Sequence, residues 1–225
     1  MTRGRLVPDP PHDLRRRLNI TTWSPLDSMV RCHNSKYGGN KFNPGSGEGG
    51  RFNWFNDENG CRVPVLYAAD CYAGAIAETV LRNVPLTGRR TLLRKYYLGR
   101  CVTKLKLDSS VVLRLAEFHD PGLLRLGLRP RQLTEAISCH YGRTVKWAEA
   151  VHQQVREAQG LVWMSGRFNT ARALVLFGDR VDSANLHVVP GSVEAVDSGP
   201  GLQRLIKLTM EADITIVKPG RRPAR

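Results

Sequence analysis

Between Met29 and Leu81 the chain carries two arginines (Arg31, Arg51), a tyrosine (Tyr67) and a glutamate (Glu78) beside a run of glycines. Guanidinium groups bind anionic oxygens in a bidentate fork. A carboxylate beside such a site can stabilise the positive charge that develops when a glycosidic bond breaks. The grouping reads as an anion-binding pocket with one carboxylate suited to glycosidic chemistry. His33 lies two residues after Arg31, so a strand would point both side chains the same way.

Each residue also has a plain explanation. Arg82 follows Glu78 by four residues, the spacing of a surface ion pair on a helix. Tyr67 could be a core aromatic with its hydroxyl satisfied, and Ser165 a turn residue after its strand. The glycine run GSGEGGR at 45–51 lacks the Gly-Lys-Ser/Thr ending of a phosphate loop and does not open a helix. Only the joint pattern favours a site.

The elements that must position these residues follow from periodicity. Met29–Cys32 reads as a strand, 34–50 as a loop, and NDENG at 56–60 as a turn. Val63–Ala68 is apolar on both faces, which predicts a buried strand. Asp70 is a good N-cap for a helix over 71–82, with Ala73, Ile76, Ala77, Val80 and Leu81 as its buried stripe. Glu78 then stands beside that stripe, and the small Gly74 and Ala75 would leave room above the carboxylate. The alternation at 101–107 predicts a half-exposed strand with Lys104 and Lys106 outward. Further strands are expected at 111–115, 161–164, 173–177, 186–189 and 214–217, and helices at 12–20, 131–141, 145–159 and 202–210, with Gly160 stopping the third. Residues 1–11 should form a Pro-rich arm, and 218–225 a disordered tail. Strands and helices intermingle without a repeat, which predicts one mixed α/β or α+β domain.

Composition narrows the function classes. The chain has 225 residues, 41% apolar and 24% charged, enough for a core without staples. No apolar run approaches the ~18 residues of a membrane span, and the N-terminus lacks the apolar stretch of a signal peptide. Five cysteines without Cys-x-x-Cys spacing argue against disulfides or zinc and for a cytoplasmic setting. The six histidines are scattered, so no metal is expected. The net charge of +14 favours acidic or phosphate-rich partners, nucleic acid included. Arginine supplies 26 of the 34 basic residues. A basic nucleic-acid-binding module is a rival reading, but it gives no reason for Tyr67 and Glu78 beside a glycine loop.

MVRCH with Arg31, FNPGSGEGGRFN with Arg51 and Asn53, VPVLYAA with Tyr67, AIAETVL with Glu78, and GLVWMSGR with Ser165 occur in an order and spacing that resemble the RES domain toxins. WAEAVHQ precedes GLVWMS as in that family. The resemblance covers residues 28–190, leaving 1–27 as an arm with a short helix and 191–225 as an extension packed on the same domain with a basic tail. It implies a mixed sheet with flanking helices, like a reduced ADP-ribosyltransferase fold. It further implies a toxin that cleaves NAD⁺ by glycohydrolysis or phosphorolysis, or that transfers ADP-ribose to a protein, with no cofactor beyond NAD⁺ as substrate. Its partner would be an Xre-type antitoxin, and any contact with nucleic acid would be indirect. Glu78, Arg31 and Tyr67 would then be catalytic, with Arg31, Arg51, Tyr67, Ser165, His33 and Asn53 lining the NAD⁺ pocket.

Overall fold

A computed structural model describes residues 7–47 and 49–217. The expected disordered tail at 218–225 lies outside them, as do residues 1–6 of the arm. The strands are β1 (Ile20–Trp23), β2 (Met29–Asn34), β3 (Phe55–Asn56), β4 (Arg62–Val63), β5 (Val65–Ala69), β6 (Thr91–Leu92), β7 (Arg100–Leu107), β8 (Leu113–Glu117), β9 (Gly160–Met164), β10 (Arg172–Phe177), β11 (Leu186–Val188), β12 (Glu194–Ala195) and β13 (Thr215–Ile216). The α-helices are α1 (Leu14–Arg17), α2 (Tyr72–Thr79), α3 (Gly122–Arg125), α4 (Tyr141–Gln154) and α5 (Gly199–Glu211).

Nine strands form one mixed sheet in the order β1-β8-β9-β10-β5-β2-β7-β11, with β12 also paired to β7. All its pairings are antiparallel except β8 with β9. The alternation of β10 explains its central place: Ala173, Val175 and Phe177 feed one core and Leu174 and Leu176 another. One core lies under α4 around Phe52, Phe118, Trp147 and Trp163. A second lies where α2 and α5 cover Val30, Cys32, Ala69 and Val102. The third draws side chains from β1, β2, β5, β7, β8, β9, β10 and β11 and from no helix. The sheet curls on itself to bury it. This is an α+β architecture, a mixed sheet with flanking helices, as the family resemblance implies.

Several boundaries differ from the sequence expectation. Residues 131–141 form no long helix but two 3-10 turns, Pro130–Gln132 and Ser138–His140, with Leu133, Thr134 and Ala136 buried between them. The helix expected from 145 begins at Tyr141 and has already ended at Gln154. Gly160 is not its stop: it opens β9, where a Cβ would lie 2.1 Å from the Val175 carbonyl oxygen, a contact only glycine permits. Thr91–Leu92, inside a basic stretch, pairs in parallel with Thr215–Ile216.

The arm is held where it is described. The Val7, Pro8 and Pro11 carbonyls accept from Arg143 (3.2 Å), Trp147 Nε1 (2.8 Å) and Gln154 Nε2 (3.1 Å) of α4, and the Leu14 N–H donates to Gln154 Oε1 at 3.0 Å. Prolines fit at 8 and 11 because the helix reads only their carbonyls. The predicted helix at 12–20 shrinks to α1, and its last residue, Ile20, opens β1. Among the described residues, no helix is long and apolar enough to cross a membrane.

Candidate active site

The central carboxylate comes from α2. Its N-cap is Cys71, whose sulfur accepts from the Gly74 N–H at 3.4 Å. Asp70, the expected cap, follows β5 opposite Arg172. Its carboxylate accepts the Arg172 backbone N–H at 3.0 Å instead. Gly74 and Ala75 do not open space above Glu78. A Cβ on Gly74 would stand 2.7 Å from Ala171 Cβ and 3.1 Å from Ala69 Cβ, and Ala75 is buried in the core. Their smallness lets α2 press onto the sheet, which sets where Glu78, near its C-terminal end, emerges.

Both oxygens of Glu78 are engaged. Ser165, the residue after β9, donates its hydroxyl to Oε1 at 2.7 Å. Arg51 Nη1 donates to Oε2 at 3.3 Å. The Ser165 oxygen in turn accepts the backbone N–H groups of Arg167 and Phe168 at 3.4 and 3.3 Å. Those bonds are weak, but they occupy its lone pairs, so its only proton points at Glu78. Ser165 is 1% exposed, and the side chains of Arg51 and Glu78 only 11% and 13%.

Tyr67 works through the backbone. Its hydroxyl accepts the Phe52 N–H at 2.8 Å, while the Thr144 hydroxyl donates to the Arg51 carbonyl. The chain bearing Arg51 is thus pinned on both sides. A Cβ on Gly50 would stand 2.7 Å from the Tyr67 oxygen, so glycine lets the loop pass over the ring. Burial raises the Tyr67 pKa, although the Phe52 N–H and Arg51 favour the ionised form. The phenol keeps its proton at neutral pH. Asn53 is buried beneath Gly49, where a Cβ would lie 2.8 Å from its Nδ2. It supports the loop from below.

Arg31 and His33 belong to a different group, which corrects their placement beside Glu78. Val30 pairs with Ala69, so those two share a face of the sheet with Tyr67 and α2. Arg31 and His33, one residue out of phase, point to the opposite face. There Arg31 Nη1 donates to the Gly39 and Lys41 carbonyls at 2.8 and 2.6 Å. His33 Nε2 lies 2.8 Å from Thr103 Oγ1. Burial lowers the Arg31 pKa to about 10, which leaves it cationic at neutral pH, and burial also lowers that of His33. Arg31 is a strut for the loop at 39–41.

The structure adds residues that spacing alone did not single out. Arg82 does not pair with Glu78. Its guanidinium lies 5.9 Å from the centre of the Tyr141 ring, and that of Arg51 lies 5.8 Å from the same ring. Arg167 Nη2 donates to the Arg82 carbonyl at 2.8 Å. Arg167 also feels Glu78, Arg90 and Arg51 electrostatically. The signals in the sequence were faint: Arg82 one turn after Glu78, Arg167 two residues after Ser165. Among the described residues, no three His, Cys, Asp or Glu side chains are placed to hold a metal ion. An open cleft of about 620 Å³ lies elsewhere, against Lys104 and the 189–204 segment, and its one carboxylate, Glu194, is paired with Arg204. What remains is a nearly sealed carboxylate, oriented by a hydroxyl and faced by arginines.

The RES domain family matches residues 28–198 of the chain. The fold is similar to that of a chain in the crystal structure of the M. tuberculosis MbcT-MbcA toxin-antitoxin complex. That likeness has a TM-score of 0.59 and 16% identity, covering 86% of this chain and 93% of the other. No curated protein matches the sequence.

Proposed function

The chain belongs to the RES domain family, and from that premise we propose that it is the toxin of a toxin–antitoxin pair, cleaving the nicotinamide–ribose bond of NAD⁺. The observation that carries this reading is the Glu78 carboxylate, held by Ser165 at 2.7 Å and Arg51 at 3.3 Å in a site where cations outnumber it. Nicotinamide in NAD⁺ is already a good leaving group, so its departure needs stabilisation of the ribosyl cation more than proton donation. A carboxylate whose orientation is set before the substrate arrives supplies that at no cost of reorganisation. Arg51 offers donors for the diphosphate. Tyr67, protonated, holds the Arg51 loop and presents an aromatic edge to the nicotinamide. Arg31 acts from the other face as a positioning residue. Water or phosphate accepts the ADP-ribosyl group.

An antitoxin partner is supported by the neighbour, which is a toxin-antitoxin complex. The net charge of +14 fits an acidic surface on such a partner. The test is incubation of the purified chain with NAD⁺, with and without phosphate, followed by product identification. Free nicotinamide with ADP-ribose or its phosphate is the expected outcome. Glu78→Gln should be slower by about 10²–10³ with an unchanged melting temperature. NAD⁺ left intact, or a Glu78→Gln variant working at the parent rate, would reject the reading. Label appearing on protein instead would assign the same pocket to ADP-ribosyl transfer.

A further inference from the structure

We propose that Arg82, Arg90 and Arg167, closed on one side by the Tyr141 ring, form a phosphate subsite beside Glu78. Its ligand is a phosphate or diphosphate group of a small molecule. This deepens the NAD⁺ reading, but it stands on separate observations and is tested without turnover.

The first observation is what these arginines lack. Among the described residues, five arginines pair with carboxylates: Arg17 with Asp13, Arg51 with Glu78, Arg156 with Glu58, Arg172 with Asp27 and Asp70, and Arg204 with Glu194. Among the described residues, no carboxylate forms an ion pair with Arg82, Arg90 or Arg167. The second is that Arg51, Arg82 and Arg90 each hold a buried Nε–H without a hydrogen-bond partner. A buried donor left unpaired is costly, and three in one neighbourhood mark a place shaped for acceptors. The third is mutual proximity. Arg51 and Arg82 share the Tyr141 ring, and Arg167 is tied to the Arg82 carbonyl while feeling Arg90 and Arg51.

Like charges held together repel one another unless a multiply charged anion joins them. Phosphate fits best. Guanidinium forks bind its oxygens bidentately, and a diphosphate brings enough oxygens for several. The unpaired Nε atoms of Arg51, Arg82 and Arg90 are buried and the adjoining Ser165 is 1% exposed, while Arg167 is exposed at the edge of the group. That favours a small ligand over the exposed track that a nucleic-acid backbone would need. Glu78 is a carboxylate that Arg167 feels. It sets the orientation, since a phosphate would avoid it and leave it to a sugar.

The test is direct binding to the full chain by calorimetry at low ionic strength, with pyrophosphate, ADP and inorganic phosphate as probes. Arg82→Gln, Arg90→Gln and Arg167→Gln should each weaken pyrophosphate and ADP about tenfold or more, with melting temperatures confirming that each variant folds. Glu78→Gln should bind as tightly or more tightly, because it removes a negative charge. Two sources can supply the phosphate. If inorganic phosphate competes with ADP, the subsite holds the ligand's own diphosphate. If both bind together, it holds a free phosphate. The proposal is overturned if folded wild-type protein binds none of the probes, or if the arginine variants bind like wild type. Arginine-dependent binding by a protein that leaves NAD⁺ intact would keep the subsite and reject the reaction.

Discussion

Replacing Ser165 with alanine removes one hydroxyl and keeps the Cβ, so the perturbation is almost purely polar. The hydroxyl donates to Glu78 Oε1 at 2.7 Å from a position 1% exposed to solvent. A hydrogen bond to a charged group contributes about 1.5–3 kcal/mol. At about 1.36 kcal/mol per tenfold, kcat/KM for NAD⁺ should fall roughly 10- to 150-fold. The two backbone N–H contacts that Ser165 also accepts, at 3.4 and 3.3 Å, are too long to add much. If Ser165 acts through Glu78, the two residues form one unit and their losses do not add. Glu78→Gln alone should cost about 10²–10³, and the double variant should match that single one within a factor of about three. The assay is nicotinamide release by the four proteins of the cycle, each checked for an unchanged melting temperature. Losses that multiply would refute the reasoning and put Ser165 on the substrate instead.

Tyr67→Phe leaves the Phe52 N–H without its acceptor. It should destabilise the fold by about 1–3 kcal/mol and lower activity through the loosened Arg51, and an unchanged urea midpoint would count against this. Gly74→Ala sets two costs against each other. Alanine favours a helix interior by about 1 kcal/mol, but overpacking against Ala171 and Ala69 costs about 1–3 kcal/mol, so urea denaturation should show a net loss. A net gain would mean that α2 does not press on the sheet. His33→Gln tests acid stability. Burial, with Arg31 and Arg100 nearby, holds the folded-state pKa of His33 below its ordinary value of 6.5, against a backbone hydrogen bond to Asn34 that favours the charged form. The unfolded chain therefore takes up the proton first as pH falls, and stability present above pH ~6.5 is lost through the lowered folded pKa. Urea midpoints compared at neutral and mildly acid pH should fall less in His33→Gln than in the wild type, and equal slopes would refute the assignment.

The sequence revealed the site unevenly, for physical reasons. Apolar patterning placed the elements that carry Tyr67 and Glu78, whereas Ser165 stood out only through the family resemblance and Arg51 through its place at the exit of the glycine run. Local periodicity could not show Arg31's separation from them. That depends on the register of β2 against β5, which a single pairing, Val30 with Ala69, sets. Arg82 sat at the spacing of a surface ion pair, and only the packing of its guanidinium over Tyr141 shows otherwise. Tyr141 itself was hidden because the first turn of α4 reads Tyr-Gly-Arg-Thr, in which only Arg favours a helix, and the Thr144 contact with the Arg51 carbonyl holds that turn in place. The sheet's apolar strands were readable, and so were α2 and α5 in outline. The two-residue β6 was not, because its partner lies more than 120 residues away in β13.

The arm's attachment to α4 has a consequence for what the chain tolerates. Three of its anchors are main-chain carbonyls, at Val7, Pro8 and Pro11. Every amino acid carries that group, so changing Pro8 or Pro11 leaves the acceptor in place. Removing one residue between Val7 and Leu14 is another matter. It shifts the extended chain by about 3.3 Å, far beyond what a hydrogen bond can absorb, and every anchor on one side of the gap misses its donor. The segment is specified by its length more than by its composition. Over evolutionary time insertions and deletions should be purged while Pro8 and Pro11 drift, with Val7 and Leu14 kept apolar because both are buried in the core.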